Sequence, residues 1–237
     1  MAFLTRPLSE RKLSKDKSIH VTDEVYSTFI SMTGALLSIL GSTVLVITAL
    51  ATNKGWPVVG FTIYGLTLTN LFVSSALHHG IDSTEKVESI LREFDYYSIF
   101  ILIAGTFTPF CLILLRNNTG WILLSTVWAA ALIGIFLKVI RPNIPKWFLV
   151  VYYTVMGWIS VPLLPAILRE TGWKGIFGLI LGGFFFMIGS LFFALEKPNP
   201  WPGRFGFHEI WHLFVLGGTA SHFLTIYLTL LPLMGAP

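Results

Sequence analysis

The segment HEIWH, residues 208–212, carries two histidines at a spacing that suits a metal ion. Residues four apart lie on one face of a helix with Cβ atoms about 5 to 6 Å apart, so His208 and His212 can bind one ion together. With Glu209 between them, the segment satisfies H-E-x-x-H, the zinc metalloprotease pattern in which the glutamate is the general base. The first hypothesis to weigh is therefore a protease.

A protease of this type needs a third ligand, often a carboxylate farther along the chain. No Asp or Glu follows Glu209, and His222 is the only histidine after His212. The ten residues from His212 to His222 correspond to about 1000° of helix and about 15 Å along its axis, so a straight helix keeps these side chains apart. The third ligand should come from another segment, and Glu209 is interpreted as a first-turn acid that is favourable to the helix dipole.

The composition indicates a membrane protein, because 54% of the 237 residues are hydrophobic and only 12% are charged. A bilayer crossing needs about 20 apolar residues. Runs of that length cover residues 26–52, 57–79, 96–115, 120–140, 147–168, 175–195 and 207–233. The sequence therefore predicts an all-α integral membrane protein, a seven-transmembrane helix bundle formed by residues 26–237. A solvated cytoplasmic N-terminal segment, residues 1–25, is expected to precede it.

The orientation of the bundle follows from the distribution of Lys and Arg, which short cytoplasmic loops retain. The N-terminal segment and the even-numbered loops hold 12 of these residues, and the opposite side holds 4. This bias predicts the N terminus inside and the C terminus outside. It also explains the net charge of +4 without requiring nucleic acid as a partner.

Ionisable side chains within a bilayer are costly and are therefore functional candidates. The second apolar run ends on the cytoplasmic side with His78 and His79, the third opens at Asp95, and the seventh opens with His208 and His212. Three distant segments thus bring these groups to one layer of the membrane. Three neutral histidines and a water molecule form a catalytic zinc site with an open position. The alternative is a set of hydrogen-bonded helix contacts, but the convergence favours a metal.

The joint pattern of S-x-x-x-H, an Asp opening the third run and H-x-x-x-H resembles the haemolysin III family. This family is the bacterial branch of the progestin and adipoQ receptors. The resemblance runs through all seven runs and includes SALHH, FDYYSIFILIAGTFTPF and FGFHEIWHLFVLGGTASHF. It implies a seven-helix protein of the bacterial inner (plasma) membrane, with Zn²⁺ bound by three His near the cytoplasmic face. In the family, the Asp orders water at the zinc and the Ser neighbours the site.

The third ligand depends on the register at the end of the second run. Ser75 with His79 reproduces the S-x-L-x-H form of the family, and Ser74 with His78 also satisfies S-x-x-x-H. The two histidines are rotated by about 100° from one another on a helix, so they face different neighbours. We prefer His79 and keep His78 as the alternative.

The resemblance then implies His79, His208 and His212 as metal ligands, with Asp95 and Ser75 as catalytic residues. Alkaline ceramidases share this Ser, Asp and His set, so the implied activity is zinc-dependent hydrolysis of a membrane lipid amide or ester, with a role in membrane lipid homeostasis. In this hypothesis Asp95 takes a proton from water at the zinc, and the zinc and Ser75 stabilise the oxyanion.

Two other classes of function stay open. One is a non-catalytic membrane receptor or sensor that binds a lipid and uses zinc as a structural element. The other is a pore-forming haemolysin, although no run carries the ladder of polar residues that could line a channel. The first run also departs from many bacterial relatives, with Ser27 and Ser31 where those have Asn and His, which leaves the implied ligands intact and the role of the first helix open.

Overall fold

Long helices make up nearly all of the computed structural model, which describes residues 13–235. Within that range the α-helices are α1 Val25–Ala51, α2 Gly55–Gly80, α3 Glu85–Leu114, α4 Asn118–Ile140, α5 Lys146–Trp158, α6 Leu164–Leu195 and α7 Phe207–Thr225. A π-helical turn and a 3-10 turn continue α7 over Ile226–Leu230 and Pro232–Met234. Residues 13–235 contain no strand, only isolated bridges such as Thr22 with Gly203. The all-α prediction is confirmed.

Six helical stretches in the described part of the chain are long and apolar enough to cross a membrane. The longest, Lys146–Leu195, has 50 residues and contains α5 and α6. A straight helix of that length would extend about 75 Å, more than twice the roughly 30 Å hydrocarbon core of a bilayer. The helix is interrupted at Gly172, where φ is 64° and ψ is −165°, a conformation that glycine adopts without steric cost. The predicted count of seven spans stays a prediction.

The third helix begins earlier than its apolar run. It was expected from residue 96, whereas α3 begins at Glu85, because the charged stretch EKVESILREFD continues the helix towards the aqueous side. Glu85 and Glu88 occupy its first turn, where negative charge is favourable to the helix dipole. Asp95 therefore lies about three turns into α3 and does not open it.

The helices pack as a closed bundle around α3. Neighbours in the chain pack together from α1 to α4, α6 packs along α7, and α7 contacts α1, while α3 also touches α5 and α6. The approach of α2 to α3 is close at Gly105, where a Cβ atom would clash with Oγ1 of Thr67. Small residues permit this type of helix contact in membranes. The packing brings the end of α2 and the start of α7 to one end of the bundle.

Residues 13–24, which we call the N-terminal strap, fold over that end of the bundle. Nζ of Lys15 lies 2.9 Å from the carbonyl oxygen of His79, 2.8 Å from that of Ile81 and 2.8 Å from Oδ1 of Asp82. The cation therefore caps the last carbonyls of α2. The expectation of a solvated segment is wrong for Lys15, Asp16 and Glu24, which are buried. Three of the counted cations, Arg6, Arg11 and Lys12, lie outside the described residues.

Candidate metal centre

Three imidazoles converge where α2 meets α7. Nε2 of His79, in the last turn of α2, lies 3.3 Å from Nε2 of His208 and 3.1 Å from Nε2 of His212. A tetrahedral zinc ion with bonds of about 2.0–2.1 Å holds its nitrogen ligands about 3.3–3.4 Å apart, so the spacing fits such an ion. His79 and His212 are buried and His208 is half-buried. The three side chains could hold a metal ion.

The outer nitrogen atoms of two of these rings face carboxylates of the strap. Nδ1 of His79 lies 2.8 Å from Oε2 of Glu24, and Nδ1 of His208 lies 3.3 Å from Oδ2 of Asp16. Sequence reasoning missed both acids. Glu24 directly precedes α1, so it could have been found as Asp95 was, by its position at the same membrane depth as the histidines. Asp16 lies in a segment without any periodic pattern.

The environment acts differently on the two strap carboxyl groups. Burial would raise the pKa of Asp16, but the neighbouring His208 and Lys146 hold it well below its usual range. Burial raises the pKa of Glu24 to about 7, with a further contribution from the nearby carboxylate of Asp16. The lowered pKa of Asp16 favours its charged form, which also accepts a hydrogen bond from Nζ of Lys146 at 3.0 Å.

His78, the neighbour of His79 in the sequence, belongs to a second group of possible metal ligands. His78 lies with His79 and Asp95 in a second set whose ligand atoms are within 4.8 Å of one another. Its Nδ1 has no hydrogen-bond partner in the described part of the chain, and it lines a small cavity of about 30 Å³ together with Asp95 and His208. The structure therefore brings His79 to both α7 histidines and turns His78 towards α3.

Both residues implied as catalytic line a larger cavity inside the bundle. Ser75, Asp95 and His212 lie in the wall of a cavity of about 410 Å³, most of whose other lining residues are apolar. The hydroxyl of Ser75 lies 2.9 Å from that of Ser31 in α1. Asp95 lines both this cavity and the small one. It therefore lies between the small cavity, which His78 and His208 also line, and the large apolar cavity.

The remaining parts of the protease pattern are engaged elsewhere. The buried carboxylate of Glu209 accepts hydrogen bonds from the hydroxyls of Thr22 and Ser27, at 2.7 and 3.0 Å, and from the amide of Gly206 at 2.8 Å. The bond from the amide of Gly206 caps the first turn of α7, which agrees with the interpretation of Glu209 as a first-turn acid. Nε2 of His222 lies 3.4 Å from the carbonyl oxygen of Leu179, and neither residue belongs to a candidate metal group of residues 13–235.

Sequence comparison decides the family. The profile of the Haemolysin-III related family matches residues 19–223. The chain belongs to the haemolysin III family. It is 36% identical to Hemolysin-3 of Bacillus cereus over 214 residues, which cover 90% of this chain and 94% of that protein. It is 35% identical to the Hemolysin-3 homolog of Bacillus subtilis (strain 168) over 209 residues, covering 87% and 93%.

A more distant relative is the Monocyte to macrophage differentiation factor of Homo sapiens, which is 26% identical over 183 residues covering 73% of this chain and 71% of that protein. The match of the family profile includes Glu24 and the three histidines of the centre, whereas Asp16 precedes it. The predicted resemblance is confirmed. With six apolar helices and Bacillus relatives, the chain is an integral membrane protein of the bacterial plasma membrane.

Proposed function

We propose that this haemolysin III protein binds Zn²⁺ through His79, His208 and His212 and hydrolyses an amide or ester bond of a membrane lipid. The observation that carries the proposal is the shared wall of the large cavity, in which His212 lies with Ser75 and Asp95. A bound zinc ion supplies a Lewis acid for a carbonyl group and lowers the pKa of a water molecule. The cluster fits this ion by its donor set and by the spacing of its nitrogen atoms.

The cavity favours a lipid over a soluble substrate. Its volume of about 410 Å³ lies within the range of about 300–1,000 Å³ typical of small-molecule sites. Its wall reaches Trp158 and Val161 at the connection between α5 and α6, and both residues are exposed on the surface of the bundle. In a membrane that surface faces acyl chains, so a lipid could enter sideways with its polar linkage towards Asp95.

The protein's own groups have separate tasks in this proposal. Asp95 takes the proton of the attacking water and returns it to the leaving nitrogen or oxygen. Ser75 donates a hydrogen bond to the carbonyl oxygen as negative charge develops there. The neighbouring hydroxyl of Ser31, 2.9 Å away, orients Ser75. The apolar wall excludes bulk water, which strengthens both interactions.

The direct test combines metal analysis with lipid analysis. Purified, metal-replete protein should contain about one zinc per chain, the number expected for one three-histidine site. In detergent micelles containing ceramide or phospholipid it should release free fatty acid, detected by mass spectrometry, and a chelator should stop the release until zinc is restored. If the zinc-loaded protein cleaves neither ceramide nor phospholipid, the result would favour a receptor in which zinc is structural. Dye release from liposomes by the pure protein would instead favour a pore.

We also propose that the chain crosses the membrane seven times with its N terminus inside, because the break at Gly172 allows Lys146–Leu195 to cross twice. The 12 to 4 distribution of Lys and Arg supports this orientation. Alkaline phosphatase, which is active only outside the cytoplasm, should be active when fused after Gly172 or at the C terminus, and inactive after Lys197. Green fluorescent protein should show the reverse pattern. Cytoplasmic fluorescence from the C-terminal fusion would contradict the seven-span count.

A further inference from the structure

The N-terminal strap covers the candidate metal centre and also places carboxylates against two of its histidine rings. Oε2 of Glu24 lies 2.8 Å from Nδ1 of His79, and both side chains are almost completely buried. Oδ2 of Asp16 lies 3.3 Å from Nδ1 of His208, but without the geometry of a hydrogen bond, because this Nδ1 has no hydrogen-bond partner in the described part of the chain. Each contact is made on the ring nitrogen opposite the one that faces the other histidines. The strap therefore touches two rings without competing for the space between them.

A carboxylate in this position selects the form of the imidazole that can bind metal. A neutral imidazole carries one N–H group, and the other nitrogen keeps a lone pair. A carboxylate beside Nδ1 holds the hydrogen there, which leaves Nε2 free for an ion and fixes the plane of the ring. The effect is greatest for His79, because its Nε2 is close to both other Nε2 atoms. A rotation of this one ring would move its Nε2 away from both of the others.

Glu24 is itself held in place from several sides. Its Oε1 atom lies 3.5 Å from the amide nitrogen of Lys15, and its carbonyl oxygen accepts bonds from the amide and hydroxyl of Thr28 at 2.9 and 2.7 Å. Its φ angle is 62°, which is unfavourable for a residue with a side chain and persists only where the surroundings impose it. The strained backbone aims the carboxylate at His79.

We propose that Glu24 is a positioning residue that holds His79 in the orientation and tautomer required for metal binding. The inference rests on the metal site of the proposed function, and it assigns the strap a part in metal affinity. Hydrolysis is not needed for it. The relevant readout is therefore the affinity for zinc.

The test measures zinc affinity of the full-length purified protein by competition with a chromophoric chelator. Glu24→Ala should bind zinc about 10- to 100-fold more weakly, the usual effect of losing an outer partner of a metal-binding histidine. Glu24→Gln should fall between this variant and the wild type, because its amide oxygen can still accept the Nδ1 hydrogen but carries no charge. Asp16→Asn should weaken binding less than Glu24→Ala, since Asp16 makes no hydrogen bond to Nδ1 of His208.

Glu209→Ala is the matched control, because it removes another buried carboxylate that anchors the strap through Thr22. We expect lower thermal stability with unchanged zinc affinity, since Glu209 belongs to no candidate metal group of the described residues. Wild-type affinity in Glu24→Ala, or in Glu24→Gln if the alanine variant does not fold, would overturn the inference. So would equal losses of affinity in Glu24→Ala and Glu209→Ala. A wild type that binds zinc but cleaves no lipid contradicts only the hydrolase, whereas a wild type without zinc contradicts both proposals.

Discussion

Replacing His212 with alanine is expected to abolish stoichiometric zinc binding and to lower the thermal stability of the protein. Nε2 of His212 lies 3.1 Å from that of His79, so the variant loses one of the three proposed ligands and part of the link between α2 and α7. Two imidazoles compete poorly with water for the ion. Bound metal stabilises a folded protein by about 2.7 kcal/mol when its free concentration is 100 times Kd, and this contribution disappears. Metal content and thermal unfolding with and without zinc measure the two effects.

His222→Ala is the matched control for this prediction. His222 lies on the same helix and lines the same cavity as His212, but it bonds the carbonyl oxygen of Leu179 and should be dispensable for zinc. The pair His78→Ala and His79→Ala tests the register at the end of α2, with zinc lost only from the His79 variant. Wild-type zinc content in His212→Ala, or zinc loss only in His78→Ala, would show that the ligand set is wrong.

Replacing Asp95 with asparagine should separate zinc binding from hydrolysis. The amide can still form hydrogen bonds at the junction of the two cavities that Asp95 lines, but it cannot accept a proton. Zinc should therefore remain at the level of the wild type, while release of fatty acid drops by roughly 10²-fold or more. Both quantities should be measured on the same preparation, so that metal loss cannot be mistaken for a loss of chemistry.

Glu209→Gln accompanies the Asp95 variant because it tests the H-E-x-x-H pattern directly. A metalloprotease would lose its general base with this change. Here Glu209 accepts three hydrogen bonds from the strap, α1 and the start of α7, so the variant should keep its turnover and lose some stability. An inactive Glu209→Gln protein that retains zinc, beside an active Asp95→Asn protein, would reverse the assignment.

Apolar runs predicted the helices well, because hydropathy reports the transfer of each side chain into lipid, a property of local sequence. The start of α3 was predicted too late for the same reason, since its first turns are charged and helical. The histidine cluster was accessible from the sequence because topology places the ends of α2 and α7 at one depth. The preference for His79 came from a family pattern. The distance between α2 and α7 could not be derived from a single sequence.

The strap was missed because long-range pairs between polar residues leave no periodic signal. Lys15, Asp16 and Glu24 are ordinary surface residues by composition, and they are buried only through partners that are distant in the chain. The first helix is similar. Ser27 and Ser31 have an open role in the sequence, whereas the structure shows their hydroxyls against Glu209 and Ser75. Such roles depend on which helices become neighbours.

The contacts of the centre also impose an order on biosynthesis. The partner nitrogens of His79 lie 129 and 133 residues farther along the chain, and the carboxylate behind it lies 55 residues before it. A ribosome must therefore release almost the whole polypeptide before the three rings can meet, and a truncated product that lacks α7 retains one histidine of the three. The three-histidine cluster can therefore form only in a chain that includes α7.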